Sequence, residues 1–138
     1  MDTAIASLRI TFVVIVVVSV LFGVYLHQLA QITAGTAAAA AVAAAANALD
    51  NSNWDCTDSG PHWRTATEAA ATAAVARTLG SSAATATDFS LTADPSCSVI
   101  ATVTVSAAGA RYWLHARAAA CRPTRASFTA GLALPAPC

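Results

Sequence analysis

Residues 10–49 read ITFVVIVVVSVLFGVYLHQLAQITAGTAAAAAVAAAANAL, forty positions without an aspartate, glutamate, lysine or arginine. The first part, residues 10–26, consists almost entirely of valine, isoleucine, leucine and phenylalanine. It is interrupted only by Thr11, Ser19 and Gly23. Extended to Ala30, the apolar run has about 21 residues, enough for a helix to cross a hydrocarbon core of roughly 30 Å. We therefore predict a transmembrane helix over residues 9–30.

Alanine dominates the stretch that follows, and the whole chain holds 37 alanines among 138 residues. Alanine has the highest helix propensity, and no proline occurs before Pro61, so one continuous helix is predicted from about residue 4 to residue 49. Residues 31–50 form its alanine-rich extension. Small side chains let another helix approach closely, although the same stretch would also serve as a plain spacer. The predicted helix-packing residues are Ala34, Ala37, Ala38, Ala41 and Ala45.

The orientation of the span rests on few charges. Arg9 is the basic residue at its inner end, and Asp50 is the first charge after it. The positive-inside tendency then predicts a single-pass protein of the plasma membrane, with residues 1–8 in the cytoplasm and the remainder outside. A cleaved signal peptide is the alternative, but its apolar region would be shorter, about 7 to 15 residues.

Beyond the long helix, residues 51–60 are rich in turn and capping residues and predict a loop. Residues 61–138 are predicted to form an extracytoplasmic α+β domain. A short helix begins near Pro61 and ends at Gly80. Alternating small apolar and hydroxyl residues then predict an antiparallel β-meander. Its predicted strands cover residues 85–92, 98–106, 111–118 and 126–134.

The third predicted strand has two unlike faces. Tyr112, Leu114, Ala116 and Ala118 share the face predicted to be buried, in a register that sets Val105 opposite Tyr112. The opposite face is the candidate contact surface of the domain, and an ordinary solvated strand face explains the pattern equally well. The candidate contact residues are Arg111, Trp113, His115 and Arg117.

Composition and motifs argue against several function classes. Charged residues make up 10% of the chain, the net charge is zero and lysine is absent, whereas nucleic-acid binding depends on dense Lys and Arg. Nucleophile-elbow, HExxH and P-loop motifs are also absent. We therefore expect a non-enzymatic protein without a cofactor, nucleic-acid partner or small-molecule substrate.

The cysteines Cys56, Cys97, Cys121 and Cys138 all follow the predicted span. None lies in a CxxC pair, and they lack the spacing of a zinc site. In an extracytoplasmic compartment an even set predicts two disulfides. The predicted register turns Cys121 away from Cys97, so we favour Cys56–Cys97 and Cys121–Cys138. The second bond would hold the C-terminal tail, a contribution of roughly 3 kcal/mol.

A short N-terminus, one apolar span and a continuous small-residue helix lead into a small α+β domain. This arrangement resembles pilin-like proteins, most closely the TadE-like family of tight-adherence pilus systems. The similarity lies in residues 18–49, 69–80 and 99–118, and the chain departs from the family in having Asp2 rather than a glutamate near its start. The resemblance implies a pilin-like component of a pilus or secretion assembly. Its partners would be the membrane and other pilin-like or membrane-complex subunits, bound through the N-terminal helix. A subunit of another membrane complex and a secreted domain with a cleaved leader are the alternatives.

Overall fold

A computed structural model describes residues 2–54, 56, 61–80, 84–93, 97–107 and 115–126. These residues form two helices and a three-stranded antiparallel sheet, which confirms the predicted α+β class and the order of the elements. The elements are α1 (Asp2–Asn51), α2 (Pro61–Leu79), β1 (Ala84–Ala93), β2 (Ser98–Ala107) and β3 (His115–Pro123).

Helix α1 is one unbroken helix of 50 residues, which makes it about 75 Å long. The sequence prediction of a single helix through the apolar and alanine-rich stretches is therefore confirmed. From Ile5 to Leu29 no side chain of α1 is buried, and only Leu26 is half-buried. The apolar half of the helix projects away from the rest of the protein.

The hydrophobic core begins at Ala30, where α1 meets the other elements. From there α1 contacts α2, β2 and β3, while α2 also contacts β1. The core combines one face of α1 with small and branched side chains of α2 and the sheet, including Ala71, Val75 and Val103. Because most of these side chains are small, the helices and the sheet approach one another closely.

The sheet has the order β1-β2-β3, with both pairs antiparallel. The register of β1 against β2 shifts between Ala86 and Asp88, where the ladder is irregular. Val99, Ala101, Val103 and Val105 of β2 are fully buried, and the residues between them are half-buried. The predicted alternation of β2 is therefore confirmed, because one face of this strand lies on the core.

The third strand pairs with β2 in a different register from the predicted one. Its described part covers His115–Pro123, past the predicted end at residue 118, and Val105 lies opposite Ala116 instead of Tyr112. Residues 111–114 of the predicted strand lie outside the described residues. The shift of four positions is even, so the faces are preserved: Ala116 is buried while His115 and Arg117 are exposed. Of the predicted fourth strand, residues 127–134 lie outside the described residues. Ala126 is helical together with Arg125.

The far end of α1 is joined to the sheet by several contacts. Cys56 forms a disulfide with Cys97, just before β2, and the backbone N–H of Arg125, just after β3, donates to Asp50. The end of α1, the start of β2 and the end of β3 therefore meet at the distal end of the domain. Antiparallel pairing then places the end of β2 and the start of β3 toward the apolar half of α1.

Candidate interfaces of the long helix

The apolar half of α1 presents Val, Ile, Leu and Phe on every side. These side chains are between about half and three-quarters exposed, among them Leu8, Phe12 and Leu21. By length and composition this helix can cross a membrane. A signal sequence near the N-terminus would meet the same criteria. What the structure shows is therefore a long helix with an exposed apolar surface.

Three hydroxyl side chains of α1 bond within the helix. The hydroxyls of Thr11, Ser19 and Thr33 donate to the carbonyl oxygens of Ser7, Ile15 and Leu29, four residues earlier, at 2.8–2.9 Å. A polar group without a hydrogen-bond partner is costly in an apolar medium. These three hydroxyls therefore need no water or neighbouring chain to be satisfied.

All five alanines predicted to pack α1 against another helix are 0% exposed. They belong to the core that α1 forms with α2 and the sheet, so their packing partners lie within the same chain. Their burial gives them no accessible surface toward a second molecule. The residues in this group are Ala34, Ala37, Ala38, Ala41 and Ala45.

The opposite side of the alanine-rich segment remains accessible. We define the outer face of α1 as the set of exposed or half-exposed residues opposite the core. Ile32 is 64% exposed, and Thr36, Ala39 and Asn47 are also exposed. Ala40 and Ala43 beside them are half-buried. This face is uncharged and, apart from Ile32, built from small or short polar side chains.

The glycines of α1 lie in open space among the described residues. A Cβ atom added at Gly23 or Gly35 would meet nothing within 4 Å there. A glycine inside a helix costs about 1 kcal/mol relative to alanine. Within the described part of the chain, no close contact requires a glycine at either position.

The predicted contact surface on the third strand is only partly described. His115 and Arg117 are exposed on the outer face of β3, opposite Ser106 and Thr104 of β2. Arg111 and Trp113 lie outside the described residues. The structure thus places two of the four predicted residues on one accessible face, two positions apart.

One of the two predicted disulfides is present with the predicted partners. Cys56 and Cys97 are bonded across 41 positions, with their Cα atoms 5.6 Å apart. Cys121 is also disulfide-bonded, while its predicted partner, Cys138, lies outside the described residues. Cys121 lies opposite Ile100, on the face of β3 that points away from buried Ala116. The predicted register also placed Cys121 on that face.

Two residues important for the distal end were not predicted. Thr124 is buried, and its hydroxyl donates to the carbonyl oxygen of Cys97 at 2.7 Å. Asp50 accepts from the backbone N–H of Arg125 at 2.8 Å. Both contacts join residues far apart in the chain, so no local sequence pattern marks them.

Within the described part of the chain, no group of three or more His, Cys, Asp or Glu side chains could hold a metal ion. No protein-family model, curated protein or solved structure matches the chain. The functional argument therefore depends on the geometry of α1 and of the domain.

Proposed function

We propose that this chain is a non-enzymatic, single-pass membrane protein of the pilin-like, TadE-like kind. Residues 1–8 lie in the cytoplasm, α1 crosses the plasma membrane, and the α+β domain stands outside. The chain assembles into a pilus or secretion complex through α1. The observation that carries the proposal is the division of this one helix into an uncovered apolar half and a half packed into a folded domain.

The membrane placement is supported by the surface of the apolar half. No side chain between Ile5 and Leu29 is buried, and water would have to hydrate this whole apolar surface in a soluble protein. Burying apolar surface is worth roughly 25 cal/mol per Å². A lipid bilayer or neighbouring apolar helices provide that burial, and the internally bonded hydroxyls of Thr11 and Ser19 suit such an environment.

The assembly surface is the outer face of α1, since the buried alanines already pack against α2 and the sheet. Its small side chains at Ala39 and Ala43 allow a neighbouring helix to come close. In the apolar half of α1, Ser19 and Gly23 have the small-xxx-small spacing with which membrane helices pack. The open space around Gly23 and Gly35 leaves room for such a neighbour.

The test is Ala39→Leu in the full-length protein. A larger side chain on the outer face should reduce assembly by pushing a neighbouring helix away, while the domain stays folded because Ala39 is exposed. Ala69→Leu is the matched control, because Ala69 is also exposed but lies on α2. Crosslinking in cells and recovery in a sheared filament fraction measure assembly. Wild-type assembly of Ala39→Leu would refute the outer face as the interface.

The same experiment separates the neighbouring possibilities. A filament subunit is recovered in the sheared fraction, whereas an accessory subunit of a membrane complex crosslinks to partners but stays with the cell membrane. A secreted domain with a cleaved leader lacks the apolar half in its mature form. Mass spectrometry of the mature N-terminus identifies that outcome directly.

A further inference from the structure

The two cysteines of the Cys56–Cys97 disulfide are unequally exposed to solvent. Cys97 is 3% exposed, while Cys56 is half-buried and lies in the loop between α1 and α2. A thiol reagent approaching from solvent therefore meets the Cys56 side of the bond first.

Thr124 is hydrogen-bonded to the backbone of Cys97. Its side chain is 1% exposed, its hydroxyl donates to the Cys97 carbonyl oxygen at 2.7 Å, and its backbone N–H donates to the same oxygen at 3.4 Å. Because Thr124 directly follows β3, these bonds fix the end of one strand over the start of another. Cys97 is thus held in the core at the distal end of the domain.

Non-covalent contacts accompany the disulfide at the distal end of the domain. Asp50 at the end of α1 accepts from Arg125 N–H, and the N–H of Trp54 donates to the Leu49 carbonyl oxygen at 3.2 Å. Trp54 also packs against the core. These contacts lie at the end of α1, close in sequence to Cys56, and directly after β3, beside Thr124.

Both cysteines have left-handed backbone conformations, with φ of 71° at Cys56 and 64° at Cys97. Such values are uncommon for residues other than glycine, and asparagine and aspartate are the side chains that tolerate them best. In the folded domain both cysteines thus hold a backbone conformation that ordinary side chains seldom adopt. If the bond forms in the folded domain, the difference in exposure between Cys56 and Cys97 decides which cysteine an external partner reaches first.

We propose that Cys56 is the sulfur at which this disulfide exchanges with an extracytoplasmic dithiol–disulfide oxidoreductase, and that Cys97 is the resolving cysteine. The Cys56 thiolate attacks the disulfide of the oxidoreductase, forms a mixed disulfide and releases one thiolate of that protein. The Cys97 thiolate then attacks the Cys56 sulfur and releases the second thiolate. Two electrons pass from the cysteine pair to the oxidoreductase, which leaves as a dithiol.

The first test opens the bond in the wild-type protein in detergent with reduced glutathione. Attack on Cys56 leaves glutathione on Cys56 and a free thiol at Cys97, which is blocked by rapid alkylation. Peptide mass spectrometry should find glutathione on Cys56 about tenfold more often than on Cys97, since access limits thiol exchange. Equal labelling, or more glutathione on Cys97, would overturn the proposal.

The second test uses Cys97→Ser and Cys56→Ser in cells. Cys97→Ser should trap the oxidoreductase as a mixed disulfide on Cys56, visible as a larger species on a non-reducing gel. Cys56→Ser should trap about tenfold less, because Cys97 is enclosed. Equal trapping by two variants with wild-type circular dichroism would count against the proposal. If either variant unfolds, the glutathione experiment on the wild-type protein still tests the roles of Cys56 and Cys97.

This inference rests on the extracytoplasmic placement in the proposed function, and the two can fail separately. Alkylation of wild-type cysteines in intact cells tests the placement, because a cytoplasmic domain would have reduced thiols. The glutathione ratio in purified protein tests the roles of Cys56 and Cys97 wherever the domain resides.

Discussion

The backbone N–H of Arg125 donates a 2.8 Å hydrogen bond to Oδ1 of Asp50, a contact between residues 75 positions apart. It joins the last turn of α1 to the segment that leaves β3. Asp50 is half-buried, while Arg125 is exposed and the hydrogen bond is accessible to solvent. The contact fixes the end of the long helix relative to the sheet.

Asp50→Ala should lower the free energy of unfolding of the domain by about 1 kcal/mol, because Arg125 loses its acceptor. Asp50→Asn is the control, since its side-chain oxygen still accepts a hydrogen bond. Urea unfolding of the full-length protein in detergent, followed by near-ultraviolet circular dichroism, measures the change. Equal stability of Asp50→Ala and wild type would show that the bond contributes nothing.

Thr124→Val should cost about 1–2 kcal/mol, because a buried carbonyl of Cys97 loses its hydroxyl donor while the side-chain volume hardly changes. Thr124→Ser keeps the hydroxyl and should be closer to wild type. The same urea titration compares the variants. If Thr124→Ser is the less stable of the two, packing of the methyl group is more important than the hydrogen bond.

Leu49→Ala should destabilise the domain by about 3 kcal/mol, because Leu49 is among the largest fully buried side chains and its removal leaves a cavity. Leu29→Ala makes the same change on the same helix at a position that is about half exposed. The control should leave domain unfolding unchanged. Loss of stability in both variants would place Leu29 in contact with the domain.

Ala41→Leu should destabilise the domain by about 1–3 kcal/mol, since Ala41 is 0% exposed and three added carbons have no space in the core. Ala39→Leu, two positions away on the outer face, should unfold like wild type. The pair therefore separates a loss of folding from a loss of assembly. A stable Ala41→Leu variant would show that the core can expand around the helix.

Much of the architecture could be predicted because its signals are local. The charge-free run of residues 10–49 and the propensity of alanine predicted α1 nearly to its last residue, and Pro61 and Gly80 bracketed α2. The Cys56–Cys97 bond was also favoured from the sequence, where strand parity turned Cys121 away from Cys97 and so removed one of the three possible connectivities. Parity depends only on odd and even positions, so it survived the error in the register of β3 against β2.

The parts that were missed depend on distance along the chain. Residues 111–114 alternate in the same way as residues 115–118, so the pattern does not indicate which residue lies opposite Val105 of β2. The small side chains of Ala37 and Ala41 predicted close packing but did not identify the partner, since an alanine surface fits a helix of the same chain as well as that of another. Asp50 and Thr124 find their partners only after folding.

The continuity of α1 has a mechanical consequence. No linker or turn separates the apolar half of α1 from the half in the core. The domain and the projecting segment therefore rotate together about the helix axis. Inserting a single residue between Leu21 and Phe22 would rotate the domain by about 100° around the helix axis and raise it by about 1.5 Å. The direction in which β3 points is therefore set by the rotation of the apolar segment in its surroundings, and torque applied to that segment reaches the distal disulfide through an uninterrupted helix.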